Sequence, residues 1–376
     1  MCTFAVTLLT DRTNRLNMYD QQLVFSYSLY LIVYGGAMVF SLIACIYLLC
    51  RRSNAIAPEV TPPLRLRRWV AVFFVVMLLS HLWWYVLVKY DLFGDSLTGL
   101  IVAATLDCMV LIPLIMGMFQ AMLQDRRRPL WPFLLATLPV AALFAMITFR
   151  HDLALVSWVQ GYFMLMTVVM FIYMSFEVRQ YSLWLRDNYA DLEHKEVWQS
   201  FMVLAICLLV LSFYIYSSSG MTYEYVVQVF DYLFVVILLW RVETLQTLQT
   251  QESNDDTDDT TIPANLRLLL EQHCEGGQLY LRQDITLSEL SKVIGTNRYY
   301  LSQYFKRQET TYNAYINGLR IQHFVCLYQE AVATNSSFTA QQLAQESGFR
   351  SYSTFAVAFK QRMGQTFMMW MHNAEK

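Results

Sequence analysis

Three ionisable residues that lie within long apolar runs are the first candidates for chemistry in this sequence. His81, Asp107 and Asp231 each interrupt a stretch of hydrophobic residues that otherwise carries no charge. A polar group in such a stretch is costly, and it is often functional. The three residues are therefore candidates for a ligand or proton pocket. The alternative is that they make structural hydrogen bonds inside a helix bundle.

Motifs of common catalytic and metal sites are missing from the sequence. It has no phosphate-binding loop, no GxSxG elbow, no HExxH motif and no CxxC pair. The seven cysteines show no zinc-ligand spacing with histidine. We therefore expect no enzyme activity, no catalytic residue, no cofactor and no metal.

Two similar segments near the C-terminus carry a different kind of signal. The first, ITLSELSKVIGTNRYYLSQYFKR, opens with a capping box of Thr286 and Glu289 and turns at Gly295. The second, QQLAQESGFRSYSTFAVAFKQR, follows Thr339 and turns at Gly348. Each segment reads as helix, glycine turn, helix, which is the helix-turn-helix pattern. Because the pattern occurs twice with the same helix ending, we take it as a strong signal.

A helix of fixed length is expected between the two segments. Residues 313–334 are amphipathic, and as one helix they would measure about 33 Å. Major-groove faces on one side of a DNA duplex repeat about every 34 Å. A rod of that length could therefore place two recognition helices in successive grooves.

Residues from about 264 to 376 resemble the DNA-binding domain of AraC/XylS-type transcription regulators. The resemblance rests on the two segments above and on the YINGLRI stretch between them. It implies that the second helix of each unit enters a major groove and reads bases. Carried over residue by residue, the base-reading candidates are Arg298, Tyr299, Ser302, Gln303, Tyr352 and Ser353.

The phosphate contacts are expected at the ends of the recognition helices, at Lys306, Arg307, Lys360 and Arg362. Arg320 is expected to brace the linking helix instead. Ala356 and Val357 on the second recognition helix cannot hydrogen-bond to bases, so most readout should come from the first unit. Phe367 stands where the family usually has proline.

The first two thirds of the chain are too apolar for an ordinary soluble domain. Hydrophobic residues make up 56% of the whole sequence and charged residues only 15%, against about 45–50% and about 25% on average. About seven runs are long enough to cross a bilayer. They lie at about 29–50, 69–88, 100–123, 130–149, 153–176, 198–220 and 223–242. We therefore expect an all-α fold with a polytopic transmembrane bundle followed by a soluble domain with two helix-turn-helix units.

The charge map predicts the domain boundaries and the orientation. Arginine and lysine concentrate in the first, third and fifth loops, which places these loops in the cytoplasm and the N-terminus outside. Residues 243–261 hold six acidic residues and no basic ones, and residues 262–376 hold 11 basic against 8 acidic residues. We therefore predict a bundle over 1–242, an acidic linker over 243–262 and a cytoplasmic DNA-binding domain over 263–376.

These observations favour a transcriptional regulator in a bacterial inner membrane, controlled by a signal that the bundle senses. Its expected partners are double-stranded DNA, the lipid bilayer, an unknown small ligand or membrane signal and a second copy of the chain. A net charge of +3 in the tail predicts weak binding by one copy. Two alternatives stay open: a receptor whose tail binds a protein, and a transporter or membrane enzyme whose tail is autoregulatory.

Overall fold

A computed structural model describes residues 27–51, 54–58, 60–90, 96–150, 154–217, 221–248 and 265–374. Within these ranges the regular secondary structure is helical, with no β-strand and one isolated bridge between Tyr189 and Thr286. The chain divides into two compact units. Unit 1 combines residues 1–176 with 197–248, and unit 2 combines 177–196 with 249–376. The all-helical fold class is confirmed.

Long apolar helices build unit 1. The helices, in chain order, are α1 Tyr27–Cys50, α2 Leu64–Trp84, α3 Ser96–Met122, α4 Trp131–Arg150, α5 Leu155–Asn188, α6 Trp198–Ser217 and α7 Met221–Thr244. A π-helical turn, Tyr85–Lys89, continues α2. All of α5 up to residue 176 belongs to unit 1, and its last turns belong to unit 2.

Six of these helices are long and apolar enough to cross a membrane, which is consistent with membrane insertion. The predicted span at 198–220 coincides with α6, whose apolar stretch of described side chains covers only Trp198–Val210. The count of seven spans therefore stays a prediction.

Large apolar side chains point outward from unit 1. Ile32 is 70% exposed, Leu49 68% and Trp158 72%. Soluble proteins rarely leave broad apolar surfaces in water. Small residues meanwhile allow close packing inside the unit: a Cβ on Gly117 would lie 2.5 Å from the ring of Trp69. Unit 1 thus has an apolar outside, which is consistent with insertion into a bilayer.

The end of α7 is anchored within unit 1. Glu243, assigned to the acidic linker by sequence, is the second-last residue of this helix and only 2% exposed. Its carboxylate accepts hydrogen bonds from the Tyr47 hydroxyl at 2.9 Å and from the backbone N–H of Ile56 at 3.3 Å. Gln124 holds the next residues through the backbone of Gln246 and Leu248. The rest of the predicted linker, residues 249–262, lies outside the described residues.

Unit 2 consists mainly of short helices. They are α8 Leu266–Leu269, which continues as a π-helical segment Leu270–Gly276, then a 3-10 turn Leu279–Leu281, α9 Leu287–Val293, α10 Arg298–Arg307, α11 Tyr312–Ala333, α12 Ala340–Glu346, α13 Tyr352–Met363 and α14 Phe367–Ala374. The linking helix predicted at 313–334 is α11, and it has the expected 22 residues.

Two separate cores stabilise unit 2, and α11 passes through both. Ile316 packs with α9 and α10 in the first core, and Phe324 packs with α12 and α13 in the second. Phe367 fills the second core, with its ring 5.1 Å from that of Phe324. The departure from the family's proline therefore adds an aromatic side chain to the core.

Candidate nucleic-acid interface

Side-chain caps fix the ends of the first helix-turn-helix unit. The Thr286 hydroxyl accepts from the backbone N–H of Glu289, and the Glu289 carboxylate accepts from the backbone N–H of Thr286, which completes the predicted capping box. Asn297 caps α10 by accepting from the N–H of Tyr299 at 2.6 Å. Each cap satisfies a donor that a helix start otherwise leaves unpaired. The start of the first recognition helix is thus set by local sequence.

The second helix-turn-helix unit also has a side-chain cap at the start of each helix. Thr339 caps α12 and Ser351 caps α13, the second recognition helix. Between them Gly348 has φ +93°, a conformation that side chains disfavour. A Cβ on this glycine would lie 2.8 Å from backbone atoms of Leu281. The turn therefore requires glycine for two independent reasons.

We expect Gly348→Ala to lower the local stability of α12 and α13 by about 2–3 kcal/mol, because strain and a backbone clash add. Gly295→Ala is the matched control, since Gly295 also has positive φ but no atom lies within 4 Å of the place that its Cβ would take. This control should lose only about 1 kcal/mol. Hydrogen exchange in the solubilised chain measures the two losses, at the α13 amides for Gly348→Ala and at the α10 amides for Gly295→Ala. Equal losses would show that the close approach to Leu281 does not matter.

Burial separates the core of the recognition helices from their open faces. Phe305 and Phe355 are at most 3% exposed, so the apolar positions spaced four apart form the core as expected. On the open side Tyr299 is 61% exposed and Tyr352 is 37% exposed. Other base-reading candidates are partly or fully exposed, namely Ser302, Gln303 and Ser353. All four phosphate candidates are exposed: Lys306, Arg307, Lys360 and Arg362. Their roles stay predictions.

The guanidinium group of Arg298 is already bound by a residue from a distant part of the sequence. Its Nε and Nη2 atoms donate to the side-chain oxygen of Asn188 at 3.0 and 2.5 Å. Asn188 is 110 residues away in the sequence and ends helix α5. Sequence reasoning missed this partner, and no local pattern marks it.

The start of α13 has partners from the same distant segment. The Glu193 carboxylate accepts from the hydroxyls of Ser351 at 2.8 Å and Thr354 at 3.1 Å. Asp191, which is 2% exposed, lies 3.3 Å from Nε of Arg350 and 3.7 Å from Nζ of Lys195. Burial lowers the pKa of Lys195, and the nearby Asp191 opposes that shift. None of these contacts was predicted from sequence.

Arg320 braces the linking helix, as expected from the sequence. It is 1% exposed and donates to the backbone oxygens of Tyr280 and Arg282, each at 2.7 Å. Its guanidinium group also lies 5.6 Å from the ring centre of Phe349. Burial lowers the pKa of Arg320 to about 10, so the group stays charged at neutral pH. One side chain therefore joins α11 to the segment before α9 and to the turn of the second helix-turn-helix unit.

The structure brings together two of the three ionisable candidates from the apolar runs. Nε2 of His81 lies 3.3 Å from the Asp231 carboxylate and 3.1 Å from the amide oxygen of Gln228. Its other ring nitrogen lies 2.8 Å from the backbone oxygen of Met77. His81 thus links α2 to α7 by polar contacts within unit 1.

Asp107 has a separate set of partners. It accepts from the Ser80 hydroxyl at 2.7 Å and from the indole N–H groups of Trp83 and Trp84 at 3.1 and 2.5 Å. This pattern is what structural hydrogen bonding predicts, and the pocket role of the three residues stays a prediction. Among the described residues no group of three His, Cys, Asp or Glu side chains could hold a metal ion.

Comparison with known proteins agrees with this geometry. Residues 290–373 match a family model described as a helix-turn-helix domain. Neither the curated proteins nor the solved structures gave a match to the chain. The matched range starts in α9 and includes both turns, both recognition helices and most of α14. Residues 290–373 are therefore a helix-turn-helix domain of the AraC type, which follows a helical apolar region in the same chain.

Proposed function

We propose that this chain is a membrane-anchored transcriptional regulator that binds promoter DNA through its two helix-turn-helix units. The observation that carries the proposal is the pair of capped helix-turn-helix units, most of which lies within the matched residues 290–373, each with exposed side chains on its recognition helix. The recognition helix of such a unit lies in the major groove, with its N-terminal residues at the base edges. Arg298, Tyr299, Tyr352 and Ser353 would then read bases.

Membrane anchoring is supported by the six apolar helices and by their exposed apolar side chains. The distribution of arginine in the loops favours a cytoplasmic tail in a bacterial inner membrane, with the N-terminus outside. This orientation gives the helix-turn-helix domain access to the chromosome. The bundle would respond to a small ligand or membrane signal, with His81, Asp107 and Asp231 as its candidate pocket.

A homodimer fits the modest positive charge of the tail. Four predicted phosphate contacts for each domain give a salt slope of only about −3 to −4 in a plot of log affinity against log salt. Two domains held together by the membrane would bind adjacent half-sites with a raised effective concentration. A signal would act by favouring one arrangement of the pair over another.

Salt-dependent binding tests the proposal. The full chain in lipid nanodiscs is titrated with a duplex of about four helical turns selected from a random pool, at several salt concentrations. We expect saturable binding whose affinity falls with salt by the slope given above for each bound domain, because displaced counterions drive the association. Absence of duplex binding would contradict the proposal. Capture of a protein partner, with no duplex binding, would favour the receptor alternative.

A further inference from the structure

A short acidic segment lies against the recognition helices of unit 2. We call residues 187–195, DNYADLEHK, the acidic segment; it contains Asp187, Asp191 and Glu193. In the sequence it follows the body of α5 and precedes α6, yet it groups with the helix-turn-helix residues. It is thus a piece of the apolar region's sequence that folds with the DNA-binding domain.

On the first helix-turn-helix unit, the acidic segment binds a predicted base-reading residue. Asn188 accepts both hydrogen bonds from Arg298, the first residue of recognition helix α10. Asn313 fixes the backbone beside it, because its amide donates to the oxygens of Tyr189 at 3.2 Å and Ala190 at 2.6 Å. Ala190 is 1% exposed and packs in the first core. The segment is therefore seated by specific contacts.

On the second helix-turn-helix unit, the acidic segment binds residues at the start of recognition helix α13. Glu193 accepts from Ser351, the helix cap, and from Thr354 in the first turn. Asp191 pairs with Arg350, the residue immediately before the cap. Residues 188 to 193 contact both helix-turn-helix units, and a peptide of this length can span at most about 18 Å. One short peptide thus engages the first turns of both recognition helices.

These positions are where DNA would have to bind. Recognition helices present their N-terminal residues to the base edges, and helix N-termini attract anions, including phosphate. The Glu193 carboxylate lies at the first turn of α13, where it accepts from the hydroxyls of Ser351 and Thr354. Asn188 accepts from the Nε and Nη2 donors of Arg298. The particular donors that hold the acidic segment are then not available to a duplex.

We propose that the acidic segment is a built-in competitor of DNA, so that the described conformation is a closed state with the reading surface occupied. This inference rests on the proposed function. DNA binding then requires release of the segment, and its observed affinity is reduced by the fraction of closed molecules. Because the segment joins α5 to α6 in the sequence, a movement of these helices in the bundle is the route by which a signal controls release.

Variants that weaken the closed state test the competition. Asn188→Ala removes the acceptor for Arg298, and Glu193→Gln removes the charge at α13, while both leave the helix-turn-helix residues intact. We expect each variant in the full chain in nanodiscs to bind the selected duplex roughly three- to thirty-fold more tightly than wild type. Glu330→Gln is the charge-matched control, since Glu330 is exposed on α11 outside the segment, and it should bind like wild type.

Three results are decisive. Tighter binding by both segment variants, with the control unchanged, supports the proposal. Binding equal to wild type, or weaker binding with a lower melting temperature, overturns it and makes the segment a structural part of the domain. No duplex binding by any variant, with melting temperatures unchanged, overturns the proposed function itself.

A second measurement needs no substitution. The acidic segment and the duplex compete for the same recognition helices, and such coupling is reciprocal. If the segment weakens duplex binding, bound duplex should therefore displace the segment. Hydrogen exchange of the amides of residues 189–195 in the wild-type chain should accelerate on adding saturating duplex. Unchanged or slower exchange in that segment, with duplex bound, would overturn the competition.

Discussion

Arg320→Ala is expected to lower the stability of the helix-turn-helix domain by about 3–5 kcal/mol, the largest stability effect that we predict for one substitution. The charged side chain is buried and donates to the backbone oxygens of Tyr280, Arg282 and Gln283. Removing it leaves these oxygens without their charged donor and opens a cavity between the two cores. Both effects act against folding.

Hydrogen exchange of the α9 and α11 amides measures this loss in the full chain. Arg320→Lys should recover only part of the protection, because an ammonium group cannot reproduce the planar fork of donors. Arg267→Ala is a second control: Arg267 pairs with Glu271 on the surface and its side chain is 80% exposed. Exchange in this control should be nearly that of wild type. Similar losses in Arg320→Ala and Arg267→Ala would contradict the bracing role.

Replacing Lys306 and Arg307 together by alanine is expected to weaken duplex binding about 10- to 100-fold, the largest functional effect that we predict. Both side chains are exposed at the end of α10. If each contacts a phosphate, the loss should be similar for every duplex sequence, and the salt slope should become less steep by about two for each domain.

The matched control for this pair is Arg267→Ala with Arg282→Ala, which also removes two positive charges from the domain. These arginines lie near acidic partners, Glu271 and Glu289. Affinity and salt slope of this control should stay close to wild type. If both double variants lose the same affinity, net charge and not a located phosphate contact explains the binding.

The local structure of the helix-turn-helix units could be predicted because it depends on neighbouring residues. A Thr-x-x-Glu pattern caps a helix through bonds within four residues, so Thr286 and Glu289 revealed the start of α9 without any tertiary information. The same holds for the turn at Gly348, whose positive φ suits glycine. The lengths of the apolar runs likewise indicated where the helices of unit 1 lie.

Contacts between distant parts of the sequence could not be predicted in this way. The bond between Asn188 and Arg298 joins residues that no local pattern relates. The ionisable residues of the apolar runs can be predicted because charge is rare there, but their partners cannot. Choosing Gln228 for His81, or Trp83 and Trp84 for Asp107, depends on how helices face one another.

The acidic linker shows a limit of composition as evidence. Charge composition alone groups Glu243 with the acidic residues that follow it. In the structure its carboxylate accepts hydrogen bonds from Tyr47 and from the backbone of the loop after α1, which explains its burial at the end of α7. A buried carboxylate needs such partners, and sequence composition does not reveal them.

Genome-wide crosslinking of the tagged full chain to DNA in living bacterial cells tests the central claim most directly, because it requires a cytoplasmic tail and a DNA-binding surface at once. We expect the wild-type chain to crosslink at discrete promoter sites, and the variant with Lys306→Ala and Arg307→Ala to lose most of that enrichment at equal abundance in the membrane. A wild-type chain that is abundant in the membrane but enriched at no site would contradict a membrane-anchored DNA-binding regulator.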